Sequence, residues 1–223
     1  MSHTAFFYGT LMAPPVLHRV IWGSCTPPTP AHASLLKFRP AILHAHRRHK
    51  VRQADYPAVL PTEQDEHSSV RGTLVDGLTD GDIWRLDIFE GSEYQRRKVM
   101  VEVLALPHRA ERASTAIELA PLTEKAEERA RGQGEQVEAE TYIWIAGVHR
   151  LESEEWDFDE FVRDKMQRWV GREATRTDEG FQDVDDAVAA QEDPTGGRGA
   201  LGHISRQLQD NDHIPTSAWN SAV

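Results

Sequence analysis

Residues 79–94, TDGDIWRLDIFEGSEY, combine a well-marked helix with a carboxylate at its end, and no other stretch of the chain constrains fold and chemistry together as strongly. Thr79 is placed to cap the helix, Asp80 and Asp82 fall in a first turn where the helix dipole favours anions, and Ile83, Leu86 and Phe89 recur at three-residue spacing. Gly91 follows the last periodic residue and can take the left-handed conformation that stops a helix. The pattern therefore predicts an amphipathic helix with Glu90 in its last turn. Unpaired carbonyls and the negative end of the dipole disfavour a charged carboxylate there, and burial would add to the effect. A general base working near neutral pH needs a raised pKa of this kind, so Glu90 is a candidate acid/base. A solvated glutamate at a helix end is the competing reading.

At 223 residues the chain suits one domain with a substantial core plus appendages. A formal net charge of −11 argues against a nucleic-acid binder and against attraction to an anionic membrane, which leaves small solutes or other proteins as partners. Cys25 is the only cysteine, so an intrachain disulfide, a zinc-ribbon spacing and a redox pair are all excluded, and a reducing cytosol is compatible. The start MSHTAFFYGTLM lacks the basic opening and long apolar run of a signal peptide, and no stretch reaches membrane-spanning length. The expectation is a soluble, cytoplasmic protein with a small-molecule partner.

Strand formers at 5–8, AFFY, break at Gly9, and Pro14 and Pro15 open a helix with Val16, Leu17, Val20 and Ile21 on one face. The turn at 9–13 thus lies at a strand-to-helix junction, where unpaired backbone N–H groups and a glycine suit an anion or oxyanion; an ordinary turn is the alternative. Pro27, Pro28 and Pro30 mark a connection before short strands at 33–38 and 40–44, broken at Pro40. His44, His46 and His49 with Arg47, Arg48 and Lys50 form one basic cluster. It lacks a helical i, i+4 pair and a third ligand type nearby, so it reads as a solvated loop rather than a metal site. Strands follow at 55–59 and 70–75, and a turn at Asp76 and Gly77 feeds the helix that starts after Thr79.

Beyond the helix, 97–106 alternates around Val99, Val101 and Val103, and 137–145 sets Tyr142 and Trp144 against Val137, Ala139, Thr141 and Ile143. Tyr56, Tyr94, Tyr142 and Trp144 are candidates for a cavity wall and equally readable as core. Between these strands lie a short strand candidate at 114–119 and a polar insertion at about 120–136. A helix at 156–170 carries an apolar stripe of Phe158, Phe161, Val162, Met166, Trp169 and Val170. The expected domain is 1–171, and 172–223 reads as a polar, partly disordered tail in which Leu201, Ile204 and Leu208 form at most one docking turn.

Four motifs stand in register: Phe7-Tyr8-Gly9-Thr10-Leu11; Gly72 with Leu74; Leu86-Asp87-Ile88-Phe89-Glu90-Gly91 followed by Tyr94 and Arg96; and Tyr142-Ile143-Trp144 followed by Glu155, Trp156 and Phe158. Together they resemble the gamma-glutamylcyclotransferase superfamily, in its avirulence-induced-gene-like branch of plants and fungi. The likeness spans about residues 5–170 and leaves out the insertion and the tail. It implies an α+β fold on a small, mixed, barrel-like sheet of about six strands with a few packed helices. It also implies conversion of a gamma-glutamyl amide into 5-oxoproline and a free amine, with no cofactor and no metal. Carried onto this chain, the acid/base role falls on Glu90 and substrate binding on Tyr8, Gly9, Thr10, Leu11, Met12 and Ala13. Met12 and Ala13 carry no polar side chain, so contacts there would be main-chain. A Ser or Cys nucleophile is disfavoured, since no G-x-S-x-G occurs and Cys25 has no paired histidine in sequence. The competing classes are a non-catalytic metabolite-binding or stress-response module on the same fold, and a tailoring enzyme acting on a glutathione-derived intermediate.

Overall fold

The structure, a computed structural model, describes residues 2–62, 67–104, 134–170 and 179–190. The strands are β1 (Ser2–Phe7), β2 (Lys37–His44), β3 (His46–Lys50), β4 (Pro57–Pro61), β5 (Ser69–Thr79), β6 (Tyr94–Val103) and β7 (Glu135–Trp144). Five of them close into a barrel in the order β1-β5-β2-β6-β7, while β3 and β4 form a separate two-stranded sheet. The expected mixed barrel is thus present, with five strands in the closed sheet and the hairpin beside it. Neighbours pair antiparallel except where β1 meets β7, which is parallel at Ala5 and Glu140.

The period of two along each strand divides the core. Phe6, Leu43, Leu74, Val101 and Ile143 pack together as the barrel's own filling, whereas Ala5, Phe7, Val75 and Tyr142 join a second cluster with the helices. Those helices are α1 (Pro14–Trp22), α2 (Pro30–Ala33) and α3 (Asp80–Glu90), then α4 (158–170) and α5 (Glu179–Ala190). Within α4, helical ends at Phe158–Glu160 and Met166–Val170 flank a π-helical turn at Phe161–Lys165. Among the described residues no helix is long and apolar enough to cross a membrane.

Helix α3 forms as its sequence dictates. The Thr79 hydroxyl accepts from the Asp82 N–H at 3.2 Å, and the Asp82 carboxylate accepts from the Thr79 N–H at 2.8 Å, a reciprocal cap that satisfies two orphan donors. Ile83 and Leu86 are buried, Phe89 packs against the same cluster, and Gly91 ends the helix with φ of +61°. Glu90 is its last residue.

Several local expectations are corrected. The first of the two strands expected at 33–38 and 40–44 starts later, at Lys37, because Pro30–Ala33 is a short helix capped by Thr29, and β2 runs unbroken through Pro40. Pairing of β2 with β6 begins only at Ala41, and the Pro40 carbonyl accepts from Leu104 N–H at that edge, so no ladder bond needs a proline N–H. Asp76 and Gly77 are not a turn: β5 continues to Thr79, and Gly77 is the extra residue between the pairs Thr4–Asp76 and His3–Leu78. An Asp-Gly pair suits a bulge as well as a turn, and only the partner strand decides which. The basic cluster is not a solvated loop, because His46–Lys50 pairs in register with Pro57–Pro61. Its three imidazole rings each bond a different oxygen, His44 the Glu102 carboxylate, His46 the His44 carbonyl and His49 the Glu152 carbonyl.

Within the expected tail, Glu179–Ala190 is a helix packed on the body, with Phe181 fully buried and Val184 and Val188 nearly so. The segment reads polar overall, but Phe181, Val184 and Val188 keep a helical i, i+3, i+7 stripe that composition alone hides. The end of the insertion, Glu135 and Gln136, belongs to β7. The strand candidate at 114–119, the rest of the insertion, and Leu201, Ile204 and Leu208 lie outside the described residues.

Candidate active site

A cavity of about 910 Å³ opens at one end of the barrel, between the loop after β1, the end of α3, the segment before β4, and helices α4 and α5. Tyr8, Gly9, Thr10, Leu11 and Glu90 all line it, so residues far apart in sequence meet where the first strand and the central helix both end. Met12 and Ala13 do not line it. They are 8% and 0% exposed and pack with α1, because the chain makes one 3-10 turn at Thr10–Met12 and then dives under the loop to start that helix. Tyr56, Tyr94 and Tyr142 line the cavity, whereas Trp144 is buried against Val51 and Ala58 on the hairpin side.

The loop is held from behind. Arg48 on β3 donates to the Tyr8 carbonyl at 2.9 Å, reaches Glu155 at 3.0 Å and lies over the Trp156 ring, so a largely buried guanidinium fixes the main chain entering the loop. The first bonds of the 3-10 turn run from Met12 N–H to Gly9 carbonyl and from Ala13 N–H to Thr10 carbonyl. The N–H groups of Thr10 and Leu11 therefore lie ahead of any acceptor within that turn. A Cβ on Gly9 would lie 2.7 and 2.8 Å from Pro57 Cγ and Cδ, so the loop seats on that ring only because position 9 has no side chain. Gly9→Ala is expected to push loop and Pro57 apart and lower stability by about 1–3 kcal/mol by overpacking. Urea unfolding measures this, and an unchanged midpoint would mean the Pro57 ring yields without cost.

Glu90 sits among phenols that donate elsewhere. The Tyr8 hydroxyl bonds the Tyr142 carbonyl, the Tyr142 hydroxyl bonds Asp87 at 2.9 Å, and the Tyr94 hydroxyl bonds the Pro57 carbonyl at 2.9 Å. Among the described residues the Glu90 carboxylate has no hydrogen-bond partner. Burial therefore pushes its pKa up to about 8, and the neighbouring Asp87 charge adds to the shift. Glu90 is half-buried and lines the cavity. Burial likewise raises Tyr8, Tyr94 and Tyr142 well above the ordinary phenol value, so all three remain neutral donors at physiological pH. Asp87 is itself clamped by a fork from Arg96 at 2.9 and 3.2 Å, and Arg96 also meets Glu140. The arrangement presents a poorly stabilised carboxylate and a main-chain donor loop to one cavity, which suits proton transfer beside a developing oxyanion.

Residues 5–158 match the model of the gamma-glutamyl cyclotransferase, AIG2-like family. The chain belongs to that family. It is 26% identical over 160 residues to Protein AIG2 C of Arabidopsis thaliana, covering 72% of each chain. It is 28% identical over 169 residues to AIG2-like protein C of the same plant, covering 76% of this chain and 74% of that one. A solution structure of an Arabidopsis thaliana protein superposes with a TM-score of 0.46 at 21% identity, covering 100% of this chain and 96% of that one.

Within this AIG2-like chain, sequence reasoning missed three features in or behind the site. Arg48 was hidden in the basic cluster, although the alternation of β3 puts Arg48 on the side opposite Arg47 and His49. Asp87, one helical turn before Glu90, carried an i, i+3 spacing that flags a like-charge neighbour. The third is helix α5, whose Gly180 and Asp183 line the cavity although it lies beyond the family match.

Proposed function

We propose that the protein is a gamma-glutamylcyclotransferase, with Glu90 as the acid/base and the Tyr8–Leu11 loop holding the reacting carbonyl. The observation that carries this reading is Glu90 itself, a carboxylate with a pKa of about 8 and no protein hydrogen bond among the described residues, in the same cavity as the loop. Membership of the family supports it further. Unprotonated Glu90 removes one proton from the substrate's α-ammonium. The freed amine attacks the γ-carbonyl carbon, a C–N bond forms, and the oxygen takes the charge next to the N–H groups of Thr10 and Leu11. Protonated Glu90 then gives its proton to the leaving nitrogen as the old amide bond breaks. The ring nitrogen loses its second proton to water, and the released amine takes one up, so the products are 5-oxoproline and an ammonium ion.

Holding the amine against the carbonyl supplies up to roughly 7–11 kcal/mol of the barrier by making the attack intramolecular in a fixed geometry. The cavity must hold the substrate folded for that advantage to be used. The test is 5-oxoproline release from a panel of gamma-glutamyl dipeptides, gamma-glutamyl amines and glutathione. No release from any of them by folded protein would sink the reading.

A pH profile probes the same carboxylate. Only the unprotonated form can start the reaction, so kcat/KM is expected to rise about tenfold per pH unit below about 8 and level off above it. A flat profile between pH 6 and 8 would take Glu90 out of the proton-transfer step.

A further inference from the structure

Helix α5 lies outside the family-matched residues yet forms part of the cavity wall, through Gly180 and Asp183. Its seat is well defined. Phe181 is fully buried, 5.1 Å from Phe89 and 5.9 Å from Trp169 between ring centroids, and Phe89 immediately precedes Glu90. Arg19 on α1 donates to both carboxylate oxygens of Asp185 and lies 5.3 Å over the Phe181 ring. Residues 181, 184, 185 and 188 thus form the docked face, and Asp183 stands at its edge, exposed, toward the cavity.

Charges on the wall differ in how they are compensated. Asp55 is paired with Arg168 at 3.1 Å and Lys165 at 3.7 Å, and Glu93 with Arg150 and the Tyr56 hydroxyl. Arg168, the one cationic residue lining the cavity among the described residues, is taken up by Asp55. Besides Glu90, Asp183 is the only lining carboxylate with no ion pair or hydrogen bond among the described residues. Among the described residues, then, no cation pairs with Asp183, and its negative field reaches the cavity from α5.

We infer that Asp183 is a specificity-determining residue, set on the α5 wall to disfavour substrates whose leaving amine carries a carboxylate and to favour those whose leaving amine is neutral or bears a second cation. This rests on the cyclotransferase reading for its chemistry. The γ-glutamyl end must lie with Glu90 and the loop, so the leaving amine is the part of the substrate left to face other walls. Loss of one charge acting across a water-filled cavity changes binding by roughly three- to tenfold, and reversal by about the square of that factor.

The experiment uses the full chain and three near-isosteric substrates, γ-glutamyl-glycine, γ-glutamyl-glycinamide and mono-γ-glutamyl-ethylenediamine, with anionic, neutral and cationic leaving groups. Wild type, Asp183→Asn and Asp183→Lys are compared for 5-oxoproline release. The position is exposed, so both variants are expected to fold, which thermal melting verifies. The wild type is expected to prefer cation over neutral over anion. Asp183→Asn should flatten that order by about three- to tenfold and Asp183→Lys invert it, mainly through KM, with the differences shrinking at high salt. Ratios that stay the same in all three proteins overturn the assignment. In parallel, dissociation constants for the three compounds are measured calorimetrically with Glu90→Gln alone and combined with each Asp183 change. If wild type releases no 5-oxoproline but binding keeps the charge order and loses it in Asp183→Lys, the cyclotransferase reading fails and the role of Asp183 stands. Binding that is absent, or indifferent to the Asp183 changes, removes Asp183 from the site.

Discussion

Glu90→Gln is expected to cut 5-oxoproline release by about a thousandfold, within the range typical of a lost general acid/base, while substrate affinity changes little. Glutamine keeps the shape but has no carboxyl that can take up and release a proton. The same substitution should make the fold more stable, with an effect that depends on pH. Folding raises the Glu90 pKa from an ordinary 4.5 to about 8, so between those values the native state holds a proton that the unfolded chain has released. The stability tied to that proton is fully present below about pH 4.5 and is lost as pH rises through 8. Glutamine has no such loss. Its advantage should therefore be near zero in acid and reach on the order of 2–4 kcal/mol at pH 8.5, less than the full shift implies because cavity water screens the charge. Denaturant midpoints of both proteins across pH 5–8.5 measure it. A variant that is inactive yet no more stable at high pH would mean that Glu90 is not held in a desolvated setting.

Phe181→Ala is expected to release helix α5 from the body. A fully buried phenylalanine in an aromatic cluster costs about 3–5 kcal/mol to truncate, and here the Arg19 guanidinium above its ring loses a face as well. Helix α5 makes most of its contacts with α3 and α1 and none of the barrel's ladder bonds, so the loss should appear as local opening rather than global unfolding. Hydrogen exchange should show the amides of 179–190 losing protection while β5 and β6 keep theirs. Turnover should fall with it, since Phe181 packs on Phe89 next to Glu90. Unchanged exchange in 179–190 would mean that the helix is held by something other than its aromatic anchor.

The two substitutions bear on features of unequal legibility. Helix α3, its Thr79 cap and the placement of Glu90 in its last turn were readable because each depends on residues within a few positions of one another. The strand alternations of β6 and β7 and the stripe of α1 were readable for the same reason. Errors fell where one local pattern serves two structures. Asp76-Gly77 suits a turn or a bulge, and a proline ends a strand or sits where no ladder bond is needed. A polar segment with one sparse apolar stripe is a tail or a docked helix.

The sequence alone determined the secondary elements that follow a clear period, and it put a helix-terminal carboxylate and a strand-to-helix glycine loop on the page. These follow from the 3.6- and two-residue periods and from capping chemistry, which act over a few residues. Tertiary structure alone decided that Glu90 and the Tyr8–Leu11 loop share one cavity, and that Met12 and Ala13 turn into the core instead. It also decided that three phenols spend their protons elsewhere and leave Glu90 without a partner among the described residues. Desolvation and the competition for donors depend on which groups barrel closure brings together, and that information is spread over residues more than a hundred positions apart.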